Sequence, residues 1–351
     1  MRRIIAAALT AAVIIGAVVL SGCGEEKFRF GGESYDYSVS EIELTGVQIE
    51  SFDDLALCTQ LTSLVLDNCS INDISGIGKI STLKRLSLKD NSISDISDVS
   101  MLTQLETLMI SGNNVSDISA LASCRELNYL DIGKNPVTDI SALAKLTKLE
   151  TLYADETAVS DISALSLLTQ MKELYLSDDP LNGTSALASL EYLRTLDLFG
   201  TGITSLEDVG KLSRLRCLYV GENPGLVDFT PLSSLDKLEV IYAENCGITD
   251  VEAFTSLHSL RELILTNDAI SDIMPLTMVA SLEKLNIEGN FSITQEMVAD
   301  FEKALESCEV VHSELKSAVV SSTPETDTTS EEELDSSKER FAGEVLDKLG
   351  G

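Results

Sequence analysis

Eleven apolar residues open segments of the form L-x-x-L-x-L-x-x-N-x-I-x-D-I-S-x-L-x-x-L-x-x, spaced 22 residues apart with one slip to 23. They are Leu61, Leu83, Leu105, Leu127, Leu149, Met171, Leu193, Leu215, Leu238, Leu260 and Leu282. A worn copy opens at Val39, where Ile42, Leu44, Val47, Ile49, Phe52 and Leu55 still hold the apolar slots. Self-similarity at such a period means a solenoid of about twelve turns, because each unit buries its apolar face only against its neighbours.

Within a turn, apolar and polar residues alternate, as in Leu130-Asp131-Ile132, the pattern of a half-buried strand. Stacked turns then make one long parallel sheet. The Asn slot holds Asn91, Asn113, Asn135, Asn223 and Asn290, and elsewhere Cys69, Cys246, Thr157, Thr201, Asp179 and Asp268. A buried ladder of small polar groups there can bond backbone that would otherwise be unsatisfied inside the coil. In the D-I-S segment, Asp or Ser can cap a short outer turn. The few residues left before the next strand favour 3-10 turns over long helices, and narrow outer units imply modest curvature. Asn223-Pro224-Gly225-Leu226 and Asn290-Phe291-Ser292-Ile293 each carry one extra residue, and Gly183-Thr184 stands where Asp-Ile is usual. These read as local bulges.

The repeat resembles the leucine-rich repeats of bacterial surface proteins, and its D-I-S-x-L-x-x-L half is similar to the 22-residue internalin subtype, over residues 39–312. The resemblance implies an α/β solenoid: a curved leucine-rich-repeat coil with a parallel concave sheet and short 3-10 or irregular convex segments. It is less specific for function, because such repeats serve many partners.

The N-terminus addresses location. Arg2 and Arg3 precede an uncharged apolar run at 4–20, followed by Leu20-Ser21-Gly22-Cys23, the layout of an export signal. An uncleaved transmembrane helix is the rival reading. The last four residues resemble a bacterial lipobox, which implies cleavage, a diacylglyceryl anchor on Cys23 and attachment to the membrane of the bacterial cell envelope through that lipid alone. The expected domains are a lipoprotein signal peptide at 1–22, a short tether at 23–38, the solenoid at 39–293, a capping helix and strand at 294–312, and an acidic disordered tail at 313–351. In the cap, Thr294 can start a helix on which Met297, Phe301 and Leu305 form an apolar stripe before a closing strand. In the tail, Phe341, Val345 and Leu349 recur at intervals of four, a spacing compatible with a short amphipathic helix.

Loss of residues 1–22 removes two arginines and no acids, which leaves 23 Lys plus Arg against 57 Asp plus Glu, a net charge of −34. Such a body is repelled by nucleic acid and by anionic lipid surfaces. The excess serves solubility or selects a cationic ligand. Of the seven cysteines, Cys58 and Cys124 lie three turns apart, about 14 Å, too far for a bridge. No disulfide framework and no zinc spacing are read. Cys217 is expected as an exposed thiol on the open face, and Cys308 in the cap. With His258 and His312 as the two histidines, and no nucleophile motif or phosphate loop, no catalytic residue, metal site or cofactor is assigned.

Outward-facing strand positions are the second, fourth and sixth after each opener. They carry Tyr129, Asp131, Tyr153, Asp155, Glu173, Tyr175, Asp197, Phe199, Tyr219, Tyr242 and Glu244. Five of the eight tyrosines therefore share one face, over about 24 Å. Rings alternating with carboxylates suit a protein interface in which rings supply area and acids select basic partners. Tyrosine also simply favours strands and stacks with its neighbours. The N-terminal part of the face is mixed, with Asp67, Arg85 and Lys89, which places contact in the middle and C-terminal half. The expectation is a monomeric, non-catalytic surface protein that binds a protein or peptide ligand of basic character. A lectin-like binder of cell-wall or host glycans is the alternative.

Overall fold

The computed structural model describes residues 27–314. The expected signal peptide, Cys23, and the tail from 315 onward, with Phe341, Val345 and Leu349, lie outside the described residues. A hairpin of β1 (Lys27–Phe30) and β2 (Glu33–Asp36) comes first. The solenoid strands follow: β3 (Glu41–Thr45), β4 (Ser63–Asp67), β5 (Arg85–Ser87), β6 (Thr107–Met109), β7 (Tyr129–Asp131), β8 (Thr151–Tyr153) and β9 (Glu173–Tyr175). Then come β10 (Thr195–Asp197), β11 (Cys217–Tyr219), β12 (Val240–Tyr242), β13 (Glu262–Ile264) and β14 (Lys284–Asn286). Helix α1 (Gln295–Ala304) and β15 (Glu309–Val311) close the body. β3 to β15 form one 13-stranded parallel sheet in strict chain order. Between strands the chain returns through 3-10 turns, as at Ser141–Lys145. The architecture is the leucine-rich-repeat solenoid that the 22-residue period requires.

The core is a column of repeat leucines. Leu61, Leu83, Leu105, Leu127 and Leu149 are completely buried, each packed against its counterparts one turn away. After each strand the chain must turn sharply, and the seventh residue past the opener adopts a left-handed conformation. Glycine serves at Gly46 (φ 68°) and Gly200 (φ 65°), whereas Lys134 (φ 53°), Glu156 (φ 55°) and Glu222 (φ 55°) take it at a steric cost. That so many L side chains accept this backbone shows how firmly the next residue holds the corner.

That next residue is the Asn slot. Asn135 accepts from Val115 N–H in the preceding turn at 2.9 Å and donates to the carbonyls of Ile110, Ile132 and Gly133 at 2.8, 3.0 and 3.1 Å. Asn91, Asn113, Asn223 and Asn290 make the same kind of bridge. Each amide thus satisfies backbone groups in two turns at once. Where another residue substitutes, part of the pattern survives: the Thr201 hydroxyl donates to Leu198 O at 2.7 Å, and the Cys246 thiol to Val220 O at 3.2 Å.

On the outer side the aspartate of D-I-S acts as the cap. Asp139 Oδ1 accepts from Ser141 N–H at 2.8 Å, and Asp95, Asp117 and Asp161 do the same two residues on. The serine supplies the backbone donor, not the capping side chain. These bonds hold the Asp95, Asp117, Asp139 and Asp161 carboxyls below their ordinary range.

Two positions differ from expectation, the segment 27–36 and Cys217. Residues 27–36, within the stretch read as a tether, fold into an antiparallel hairpin whose Gly31-Gly32 turn has φ of 56° and 88°. Phe28 and Phe30 on this hairpin are buried. Phe28 stacks on Tyr37 with centroids 5.0 Å apart, and Phe30 reaches Phe52 at 6.2 Å. The hairpin therefore covers the first core layer. At the other end, Thr294 Oγ1 accepts from Met297 N–H at 3.3 Å, and α1 buries Val298 and Phe301 over the last layer. Cys217 does lie on the open side of β11, yet it is 2% exposed. It is a short side chain between Thr195 and Val240 of the adjoining strands. Burial, reinforced by Glu239, pushes its thiol up to about 12, so it stays protonated and inert. The described cysteines, Cys58, Cys69, Cys124, Cys217, Cys246 and Cys308, are all free and buried.

If the corner ladder carries the coil, Asn135→Ala leaves Val115 N–H and several carbonyls without partners inside the coil. A loss of roughly 3 kcal/mol is expected by urea denaturation. An unchanged midpoint would remove the ladder from the account.

Candidate ligand-binding face

Parallel pairing at a constant register sets the face. Asp131, Tyr153, Tyr175, Asp197, Tyr219 and Tyr242 occupy the same position on six successive strands, β7 to β12. Tyr153 and Tyr175 stack with centroids 4.2 Å apart and planes within 4°. Tyr219 and Tyr242 stack at 5.0 Å and 27°. Tyr129, two residues earlier on β7, leans onto Tyr153 at 5.6 Å. The result is two blocks of rings with Asp197 between them. All five tyrosines are half-buried. Burial, then the neighbouring tyrosine and carboxylate charges, raises the hydroxyls of Tyr129 and Tyr175, and burial also leads for Tyr153 and Tyr219. They are therefore neutral donors at physiological pH.

The carboxylates are tied into the sheet. Asp131 accepts from Ser111 Oγ at 2.7 Å, and Asp155 accepts from the N–H and hydroxyl of Ser177 at 3.0 and 2.9 Å. Asp197 accepts from Phe199 N–H at 2.9 Å, and Glu244 from Thr266 Oγ1 at 3.0 Å. Each keeps its orientation through a bond to the same or an adjacent turn. Burial raises the carboxyls of Asp131, Asp155 and Glu173, and Lys172 and Arg194 oppose it at Glu173. Phe199 lies over Gly221, where a Cβ would come within 2.9 Å of its ring and 2.8 Å of Glu244 Cγ, so a larger residue there displaces those side chains.

The sequence candidates thus come together on one surface, which also includes groups that were not among them. Glu262 accepts from Tyr242 Oη at 3.0 Å and pairs with Lys284 at the same distance. Met109 and Ile264 continue the tyrosine row at either end as nearly buried apolar residues. The alternation rule already placed all three on this face; their contribution emerges only from cross-turn register. Across the eight turns from Thr107 to Thr266, the outward positions carry six carboxylates (Asp131, Asp155, Glu173, Asp197, Glu244 and Glu262) and no lysine or arginine. Arg85 and Lys89 stand beyond one end and Lys284 beyond the other. Among the described residues, no group of three or more His, Cys, Asp or Glu is placed to hold a metal ion, and no helix is long and apolar enough to cross a membrane.

Comparisons with known proteins bear on the fold. The family model described as Leucine Rich repeats (2 copies) matches residues 81–123 and 103–145. Curated protein sequences give no match. Among solved structures, an internalin (inlF) of Listeria monocytogenes is 25% identical, with a TM-score of 0.74, over 83% of this chain and 91% of that one. A leucine-rich-repeat protein of Leptospira interrogans is 17% identical, with a TM-score of 0.54, over 78% and 90%. The plant peptide hormone receptor RGFR1, solved in complex with RGF2, is 16% identical, with a TM-score of 0.57, over 77% and 50%. The chain accordingly has a leucine-rich-repeat fold, and its solenoid is similar to that of an internalin.

Proposed function

We propose that this protein is a lipid-anchored, extracytoplasmic receptor that binds a basic protein or peptide segment across β7 to β13 and performs no chemistry. The observation that carries the reading is the coincidence of two stacked tyrosine blocks with six carboxylates and no cation on one rigid surface. Half-buried rings held by their neighbours lose little rotamer freedom on binding, so their contact area converts efficiently to affinity. An excess of carboxylates over cations at these positions selects a cationic partner and speeds its approach. The leucine-rich-repeat receptor solved with its peptide lends support by analogy of architecture alone. Glycan binding is the weaker reading, because sugars stack on open ring faces. Here the faces of Tyr153 and Tyr175 are turned toward each other.

Anchoring follows from Cys23 in the lipobox-like sequence. Membrane attachment through two acyl chains would keep the solenoid at the envelope surface without a spanning helix.

The expected behaviour is specific. In the full chain, Tyr153→Ser, Tyr175→Ser and Tyr219→Ser together abolish capture of the cationic partner in crosslinking pull-downs, while circular dichroism retains the folded signature. Capture by the parent weakens steeply as salt is raised, because the Debye length falls from about 10 Å at 0.1 M to about 3 Å at 1 M. Equal capture by parent and variant would sink the assignment to this face. For the anchor, the parent should incorporate labelled fatty acid and the Cys23→Ala variant should not; equal labelling of the two would leave the lipid reading without support.

A further inference from the structure

Two rungs of the corner ladder carry an acid where the best-formed rungs carry an amide. At Asn223, Oδ1 accepts from Gly202 and Ile203 N–H of the preceding turn, and Nδ2 donates to the carbonyls of Leu198, Val220 and Gly221 at 2.9, 2.8 and 3.0 Å. Asp268 reproduces the first half: its Oδ1 accepts from the N–H groups of Cys246, Gly247 and Ile248 at 3.0, 2.8 and 3.0 Å. At Asp179, which is completely buried, Oδ1 accepts from the Thr157 hydroxyl at 2.7 Å. In both residues Oδ2 is buried and has no hydrogen-bond partner.

That oxygen takes the place of the amide nitrogen. The amide nitrogen of Asn223 reaches the carbonyls 25, 3 and 2 residues back, and the residues at those offsets are Ala154, Leu176 and Ser177 for Asp179 and Ala243, Leu265 and Thr266 for Asp268. A carbonyl only accepts, so an ionised Oδ2 would meet oxygens with no proton between them, whereas a neutral carboxyl supplies one. We propose that Asp179 and Asp268 are held as neutral carboxylic acids that donate through Oδ2–H in place of the amide, and that their ionisation is a built-in, pH-sensitive weak point of the solenoid.

The surroundings favour the neutral form. Toward Asp179 the preceding turn brings Asp155, Glu156 and the Thr157 hydroxyl; its own turn brings Asp178, and the following turn the neutral Thr201. Toward Asp268 the preceding turn brings Glu244 and the Cys246 thiol, its own turn Asn267, and the following turn Asn290 and Glu288. No cation is among these groups. Burial, with Asp155 acting in the same sense, pushes the Asp179 carboxyl up to about 7 against the Thr157 bond. Burial, with Glu244, also raises that of Asp268. An unfolded aspartate titrates near 3.9, so the folded chain binds these protons more tightly. The stability they confer is full below about pH 4, declines as pH rises, and is lost above about 7 for Asp179. Asp179 forms the corner directly after β9, which carries Tyr175, so the centre of the tyrosine face loosens on the alkaline side.

The test uses the full chain and an Asp179→Asn, Asp268→Asn double variant; Asn already fills this slot in five other turns, so folding is preserved. Urea denaturation is run at pH 5 and pH 8. Between the two, the parent's unfolding constant should rise at least about tenfold more than the variant's. The infrared difference spectrum, parent minus variant, should contain the carbonyl band of a protonated carboxyl at pH 6. Equal pH dependence of the two proteins, or absence of that band, overturns the proposal.

Discussion

Much in this molecule depends on the side chain that fills the corner after each repeat strand, a bridging amide in five of the turns. A coil that turns every 22 residues must place peptide groups inside a corner that water does not reach, and an unpaired group there is costly. One asparagine side chain, with an acceptor and two donors on a short stem, reaches the N–H of one turn and carbonyls of two. It thereby links neighbouring turns and fixes their register together. The left-handed backbone just before it, accepted even by Lys134 and Glu222, is tolerated because this bridge over-determines the corner.

Fixed register is what turns a repetitive core into a functional surface. Because Tyr153, Tyr175, Tyr219 and Tyr242 fall at the same strand position, their rings stand one above another, and Asp131 and Asp197 enter the same row. Serines and backbone N–H groups then orient the carboxylates. Neither feature needs extra structure, since both are by-products of stacking. The hairpin at one end and α1 at the other close the core column, so the sheet between them needs no further support.

Much of this was legible in the sequence because a repeat states the same instruction many times. The leucine spacing, the parallel sheet, the 3-10 returns and the corner slot each follow from residues that recur at fixed offsets. What was not legible lies where repetition stops or where height matters. The hairpin has no second copy, although Phe28-Arg29-Phe30-Gly31-Gly32 carries the alternation and turn residues of one. Cys217 was placed on the correct side of the sheet, but alternation gives direction and not depth, and between Thr195 and Val240 on the adjoining strands the thiol is buried. The concave acids read as available for a ligand, yet several already accept hydrogen bonds across turns, a pairing visible only once neighbouring strands are laid side by side. In the D-I-S segment both Asp and Ser were eligible caps. The Asp carboxylate wins because it stands two residues before the first free N–H of the outer turn.

The central claim, that the tyrosine face receives a cationic partner, is tested most directly by site-specific photo-crosslinking on intact cells. A photoreactive phenylalanine analogue placed at Tyr175, and separately at the exposed outer-face Ser123, would report which surface meets another protein. The account expects a basic protein attached at position 175 and none at 123. Adducts at 123 alone would contradict it and move the binding surface to the outer side of the coil.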